Sequence, residues 1–397
     1  MLTSNSTRRA RGTLSRIVVC GALATGCPAS DEDTSSGSAE GNESSAGPTT
    51  DSTSVTATGT STGGATDSAD TTDASTSSGS SATGDTDSGD SSTGEVVCGD
   101  PAELGVFTPS DGNARGFEVV GDTVYLAVES AGIAIVDITD PTMPVEISTL
   151  DLDPGQLVQR IAVGDGTVFV GLRGAGWSAI DVSDPTMPNV IFHEPNIAGQ
   201  DLAFADGTLY VADVNGVQVF DVSDPAAPVA LTDVGLPGST QSVVVAGDFA
   251  YATGIAAGLS VLDISDPAAT NEVTTLDFDG RGYLAISGDR AFLSASDGVH
   301  IVDITDPTQP AELGLFAASR SQAVAADDRL WMLSDDTSGR DPSLLTLINY
   351  DDPALPVEVF AGFDAFDAPS WVEVSEGRVL FSEENDDPLH ILDGCPQ

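Results

Sequence analysis

From residue 114 to 150 short apolar runs alternate with polar turns, reading GFEVVG, TVYLAV, GIAIVDI and PVEISTL. Runs of this length, rich in Val, Ile and aromatic residues and bounded by Gly, Asp and Pro, predict β-strands. Gly121-Asp122 sits between the first two runs, a two-residue turn that joins antiparallel neighbours. The stretch therefore reads as one four-stranded antiparallel unit.

The same unit recurs down the chain. The string D-[IV]-[ST]-D-P begins at Asp137, Asp181, Asp221, Asp263 and Asp303, with a degenerate copy at Asn349 (NYDDP) and a truncated one at Asp393 (DGCP). The intervals are 44, 40, 42, 40, 46 and 44 residues, which makes seven units. Turn pairs such as Asp165-Gly166 before Val168-Phe169, and Asp206-Gly207 before Leu209-Tyr210, keep step with them. Four short strands at this period describe the blade of a β-propeller. The ends of the repeat region add closure. PAELGVF from Pro101 nearly duplicates PAELGLF from Pro310, a fourth strand, and LHILD at Leu389–Asp393 matches the third strand VHIVD at Val299–Asp303. The expectation is an all-β, seven-bladed propeller of four-stranded antiparallel blades over residues 96–397. An N-terminal outer strand completes the last blade and closes the ring.

Ahead of the propeller the pattern changes twice. Arg8, Arg9, Arg11 and Arg16 precede an eight-residue apolar run, Ile17 to Ala24. A span across a bilayer needs about 20 residues, so residues 1–26 read as an export signal and not an anchor. The run ends in Leu-Ala-Thr-Gly-Cys27, which resembles the bacterial lipobox, and that resemblance implies cleavage before Cys27 and a lipid on its thiol. An ordinary signal cut nearby, with Cys27 incidental, is the alternative. Residues 27–95 then run in Ser, Thr, Gly, Ala and Asp. From Pro28 to Glu95 there are 13 acidic residues, no basic ones, and Val55 as the one sizeable apolar side chain. Such a composition cannot offset the entropy of ordering a backbone. It reads as a disordered tether with a root-mean-square span of roughly 40–50 Å.

Charge narrows the partners. All 13 basic residues of the 397 are Arg, against 62 Asp and Glu, giving a net charge of −49. Nucleic acid and anionic lipid headgroups are poor candidate partners on that balance, so no nucleic acid is expected, and contact with a membrane is expected through the lipid anchor only. With Cys20 in the signal and Cys27 lipidated, Cys98 and Cys395 remain. Aligned on the repeat they fall two positions apart in the split blade, where a disulfide would weld the ring. Two free thiols are the alternative.

The recurring Leu/Ile-x-Ile-Val-Asp-Ile-Ser/Thr-Asp-Pro segments resemble the LVIVD repeat of bacterial and archaeal cell-surface proteins. The resemblance covers essentially all of residues 100–395. It implies four-stranded blades and a surface location, and it assigns no activity. WD40 is not matched, because no Trp-Asp ends a strand, nor is kelch, which has a Gly pair in each blade.

Candidate chemistry is sparse. The Asp and Ser/Thr of D-x-[ST]-D-P suit turns made with their own backbone, and sevenfold recurrence favours that structural role; no cofactor is expected, with calcium left open. His193, His300 and His390 lack the spacing of a metal site and read as structural or exposed. The departures from the repeat gather where innermost strands begin. Arg115, Arg160, Arg281 and Arg320 fall there, with Asp201, Gln241, Tyr283, Gln322 and Trp371 at matching positions. Arg173 and Arg340 lie in second-to-third-strand loops of the same face, and Arg290, Arg329 and Arg378 belong to the opposite side. An Arg cluster beside an aromatic residue suits a carboxylate, sulfate or sugar. The alternative is that each Arg pairs with a neighbouring carboxylate and holds blades together. In the sixth unit, Ser334 to Ser343 extends the second-to-third-strand loop.

The reading that results is a non-catalytic, lipid-anchored surface module. It would bind an envelope protein or an anionic glycan at the Arg-bearing channel mouth. A hydrolase or lyase acting on an anionic polymer and a structural envelope component are the competing classes. Mass mapping of the purified protein should find a diacylated N-terminal Cys27 and, without reductant, a Cys98–Cys395 cross-linked peptide. An unmodified Cys27, or two alkylatable thiols, would remove the anchor or the weld.

Overall fold

The computed structural model describes residues 101–394, apart from 111, 130, 153–155, 256–257, 279, 319–320, 327–328, 335–342, 367–368 and 384–387. The signal, the tether, Cys27, Cys98 and Cys395 lie outside the described residues, as do Arg320 and Arg340.

Seven four-stranded antiparallel sheets make up the described chain, with one short 3-10 turn at Pro267–Ala269. Strands are lettered a to d from the axis outward. Blade 1 is Ala114–Val120, Thr123–Val128, Gly132–Asp137 and Val145–Leu150. Blades 2 to 6 follow in the same order, with strand a at Val158–Gly164, Asp201–Ala205, Ser239–Ala246, Gly280–Ser287 and Ser321–Ala326. Blade 7 takes strands a to c from Pro369–Ser375, Arg378–Glu383 and Leu389–Asp393, and its strand d is Ala102–Phe107. That strand pairs Ala102 with Asp393 and Phe107 with Leu389, the closure expected from the duplicated PAELG strings. Side chains repeat the match, since His390 bonds Glu103 at 2.9 Å as His300 bonds Glu312 at 2.8 Å in blade 5.

Two local devices build each blade. At the a–b hairpins, Asp165-Gly166, Asp206-Gly207 and Glu376-Gly377 all have positive φ at both positions, the backbone of a type I′ turn that matches strand twist. At the c–d corner, Asp137 accepts from the Thr139 amide at 2.8 Å and its hydroxyl at 2.6 Å, and Asp140 accepts from the Thr142 amide at 3.0 Å. The corner also closes through the Ile138 amide, which donates to the Asp122 carbonyl at 2.9 Å. Equivalent carboxylate–amide bonds recur at Asp181, Asp221, Asp263 and Asp303. The Thr139 hydroxyl and amide hold the Asp137 carboxyl below the usual carboxylate range. These first acidic residues of the repeat thus act as turn-formers.

The apolar cores lie between blades. One cluster joins Trp371, Leu380, Leu389 and Ile391 of blade 7 to Phe117, Leu126 and Val136 of blade 1. Others join blades 1 and 2 around Ile135 and Val170, and blades 2 and 3 around Trp177 and Leu202. Each large side chain fully buried there contributes about 1.5–3 kcal/mol. The innermost strands touch their neighbours around the whole ring, blade 7 against blade 1 included.

An innermost strand has one edge with no partner strand, and buried carboxylates serve it. Glu373 of blade 7 accepts from the Val119 amide of blade 1 at 3.2 Å, and Glu118 of blade 1 accepts from the Val163 amide of blade 2 at 2.7 Å. Both acids are buried. Glu118→Gln keeps an acceptor and should hold stability within about 1 kcal/mol, whereas Glu118→Ala should cost about 1–3 kcal/mol. Chemical denaturation of the two variants decides it, and equal losses would show that Glu118 is no clamp.

Candidate functional site

The face where innermost strands begin also carries the b–c turns, and the sequence places its arginines there. In blade 1, Arg115 is the second residue of strand a, and its Nη2 donates to Glu129 Oε2 in the b–c turn at 2.8 Å. Beside that turn lies a shallow hollow of about 10 Å³, lined by Ser110, Val128, Ala131, Ile133 and Asp151. In blade 2, Arg173 stands exposed on the b–c turn, its amide bonded to the Leu157 carbonyl at 2.9 Å.

Arg160 goes the other way. Gly116 of blade 1 lets the next strand come close: a Cβ there would sit 2.9 Å from the Gln159 carbonyl oxygen and 3.7 Å from Arg160 Cα. The Arg160 guanidinium crosses to blade 7, where its carbon lies 5.0 Å from the Trp371 ring centroid, and Nη1 donates to the Gln159 carbonyl at 2.8 Å. A cation over an indole face is attracted by the ring quadrupole, more strongly where water is excluded. In blade 3, Asp201 Oδ2 accepts from the Ser242 hydroxyl and the Val243 amide of blade 4, both at 3.0 Å. Burial pushes the Asp201 carboxyl up, against the opposing pull of the Arg160 charge and of these hydrogen bonds. A run of contacts thus ties blade 7 to blade 2 and blade 3 to blade 4, with the Arg160 charge acting on Asp201 between them.

The sequence reading put these side chains at an open mouth. Here Arg160 is 8% exposed, and Asp201 and Trp371 are 1% exposed. They close against one another, because small residues on neighbouring inner strands bring the blades together. Asp201 Oδ1, Trp371 Nε1 and Thr240 Oγ1 are buried without a hydrogen-bond partner. Gln241 is half-buried and donates to Ser239 Oγ at 3.0 Å, while Tyr283 packs in the apolar core shared by blades 5, 6 and 7. Arg281 and Gln322 hold the expected strand positions. Arg290 and Arg378 open b strands at the hairpin side, and Arg378 reaches the Ile138 carbonyl at 3.2 Å and Asp122 at 3.3 Å across the 7–1 interface.

None of the three histidines lies on an innermost strand, since His193 is on an outer strand and His300 and His390 are on third strands. His193 bonds the Ser178 hydroxyl at 2.9 Å on the outer part of blade 2, and His390 stacks on Phe381 with centroids 4.6 Å apart. No group of three or more His, Cys, Asp or Glu side chains that could hold a metal gathers among the described residues. The clamps Glu118 and Glu373 were missed by the reading of the sequence. Their signal was an acid at a repeat position where the other blades carry Ala162, Ala203, Val244, Ala285 and Ala325.

The LVIVD repeat profile matches residues 111–151, 155–193, 199–234, 237–277 and 282–317. These are five repeats, blades 1 to 5; the two degenerate units, blades 6 and 7, keep the fold outside the match. Solved structures similar to the chain include the β-propeller domain of Myceliophteria thermophila Cps50 (Swd1), 11% identical with a TM-score of 0.56, covering 74% of this chain and 99% of that one. The WD40 β-propeller domain of Doa1 is 12% identical with a TM-score of 0.55, covering 74% and 97%. At such identities the likeness is one of fold. No curated protein sequence matches the chain.

Asp201 gives a test with a sign. A carboxyl whose folded-state pKa is raised loses stability as pH climbs past its unfolded value, near 4, because ionisation is then harder in the folded state. Asp201→Asn keeps an acceptor for Val243 and drops the charge. It should be at least as stable as the parent at pH 7, with the gap narrowing toward about pH 4. Asp201→Ala should lose about 1–3 kcal/mol at both. Denaturation curves at the two pH values check it, and a gap that widens toward acid would reverse the assignment.

Proposed function

We propose that this propeller, whose blades 1 to 5 are LVIVD repeats, is a non-catalytic interaction module. A lipid on Cys27 and the acidic tether of residues 28–95 hold it outside a membrane, and it engages acidic ligands at the mouth face of blades 1 and 2. The observation that carries this reading is the company Arg173 keeps. It stands exposed, with no ion pair among the described residues, on the same face as Arg115. The domain around it has 49 acidic residues against nine Arg.

Physical chemistry supports the choice of ligand. A guanidinium presents a planar fork that fits carboxylate or sulfate bidentately, and its weak hydration lowers the cost of stripping water from it. Arg115 is already paired with Glu129, so an incoming carboxylate would compete with Glu129 for the guanidinium. The surrounding acidity sets selectivity, because a ligand of high negative charge density is repelled at distance while a sparsely charged glycan or acidic loop is not. The anchor and tether serve the same end, since a flexible stalk raises local concentration near the envelope without fixing orientation.

The test is a thermal-shift comparison on the purified chain with a glucan oligosaccharide bearing a single uronate, a neutral glucan of equal length, calcium and a chelator. The acidic sugar should raise Tm, by an amount equivalent to about 2.7 kcal/mol when free sugar is about a hundredfold above Kd. Arg173→Ala and Arg115→Ala together should abolish the shift. Equal shifts with the neutral glucan, or a shift with calcium alone, would move binding away from these arginines.

A further inference from the structure

The c–d corner repeats around the ring, but its last side chain before the outer strand does not. At that position blades 1 and 2 carry Met143 and Met187, where blades 3, 4 and 5 carry Ala227, Ala269 and Gln309. Blade 6 carries Leu355, and blade 7 stands between it and blade 1. Met143 and Met187 are 69% and 74% exposed, whereas Met332 inside blade 6 is 2% exposed. Val145, which opens the outer strand of blade 1, is 57% exposed. The two corners share one rim. Ser148 Oγ donates to the Pro185 carbonyl at 2.5 Å, so the corner carrying Met187 packs on the strand that Val145 opens.

The same turns hold a charge beside each thioether. The Met143 amide donates to the Asp140 carbonyl at 2.9 Å, and the Asp140 carboxylate accepts from the Thr142 amide at 3.0 Å and its hydroxyl at 2.7 Å. Blade 2 repeats this with Met187 on Asp184 at 2.9 Å, and with the Thr186 amide at 3.0 Å and hydroxyl at 2.6 Å. Both carboxylates are exposed, and the Thr186 hydroxyl and amide hold the Asp184 carboxyl below the usual carboxylate range. No Arg or Lys occurs in residues 116–159 or 174–194. Arg378 reaches the hairpin side of blade 1 from blade 7, but it lies between Asp122 at 3.3 Å and Glu376 at 3.4 Å. The rim therefore combines apolar side chains with an excess of negative charge.

We propose that the rim of blades 1 and 2 docks a cationic amphipathic helix of a partner protein. Its apolar face rests on Met143, Val145 and Met187, and its basic side chains lie toward Asp140 and Asp184. An unbranched, polarisable thioether adapts to irregular apolar partners, and a basic amphipathic helix supplies such a partner with the matching charge. The closed turns leave little backbone to order on binding. Charge selects the occupant. The chain's own tether carries 13 acidic and no basic residues, and a second copy would bring 49 acidic residues with nine Arg, so neither complements the rim. The chain's basic run, Arg8 to Arg16, lies ahead of Cys27 in the segment expected to be removed. This surface is independent of the arginines at the mouth.

A fluorescent helical peptide with Leu on one face and Arg on the other is the probe, titrated against the whole chain by polarisation. Met143→Ser with Met187→Ser, exposed changes that keep both turns, should weaken binding about tenfold. Leu355→Ser, at the corner of blade 6, should leave it unchanged. Asp140→Asn with Asp184→Asn keeps both turn acceptors and should weaken binding at low salt, with the loss shrinking as salt rises. Hydrogen peroxide gives a covalent arm. It hands one oxygen to an exposed thioether and leaves as water, turning an apolar side chain into a polar sulfoxide. It should oxidise Met143 and Met187 before Met332 and cost the parent the same loss. Met143→Leu with Met187→Leu should bind as the parent does and resist the treatment. Equal weakening by Leu355→Ser, unaltered affinity of the serine variant or the oxidised parent, or no binding at about 1 mM peptide would each overturn the site. Binding that appears only once residues 1–26 are removed would assign the rim to the chain's own basic segment and overturn the partner.

Discussion

Everything in this molecule depends on one pairing, that of Ala102–Phe107 with Leu389–Asp393. A ring of blades has no free end once that ladder forms, and without it two blades would expose their apolar faces to water. The sequence invests heavily at this seam. The pairing itself supplies backbone hydrogen bonds, His390–Glu103 adds a side-chain bond across it, and Phe107 joins the core between blades 7 and 1. The 7–1 interface then adds Glu373 to Val119, Ser382 to the Arg115 carbonyl at 2.8 Å, and Arg378 to Ile138. Closing a loop of nearly 300 residues costs chain entropy that grows only slowly with length, so a handful of local bonds can secure it.

The second constraint is electrostatic. An acidic domain would be expected to keep carboxylates in water, yet Glu118, Glu373 and Asp201 are buried at the axis. They are there because innermost strands present amides with no partner strand, and a buried amide without an acceptor costs about as much as a lost hydrogen bond. A carboxylate oxygen is a strong acceptor for such a donor. Arg160 offsets part of the accumulated charge, and its stack on Trp371 holds it where it can do so. The same guanidinium is thereby withdrawn from solvent. This is why Arg173 and Arg115, and not Arg160, carry the proposed contact surface.

Seven units and their closure were legible because a repeat records its architecture along one dimension. Spacing alone distinguishes Asp137 from Asp181, and Pro101 betrays its blade by copying Pro310. The turn role of the repeated Asp was legible for the same reason. What spacing could not carry was distance across the ring. Arg160, Asp201 and Trp371 could be assigned to one level of the channel, but their burial follows from how closely blades 1 and 2 approach at Gly116. Tyr283 shows the same limit. It sits on an innermost strand as expected, yet it packs into the core between blades.

The seam also accounts for where the repeat decays. Blades 2 to 4 have a matched repeat on both sides, and each keeps the Asp-Pro corner between its third and outer strands. Blade 6 adjoins the split blade, and there the outer strand lengthens to Val357–Phe366. Blade 7 takes its third and outer strands from opposite ends of the chain. Its acid at Glu373 matches Glu118 of blade 1, and its Trp371 stands where blades 2 and 3 carry Arg160 and Asp201. Loss of likeness in these two blades is therefore a consequence of closing the ring with strands from both ends.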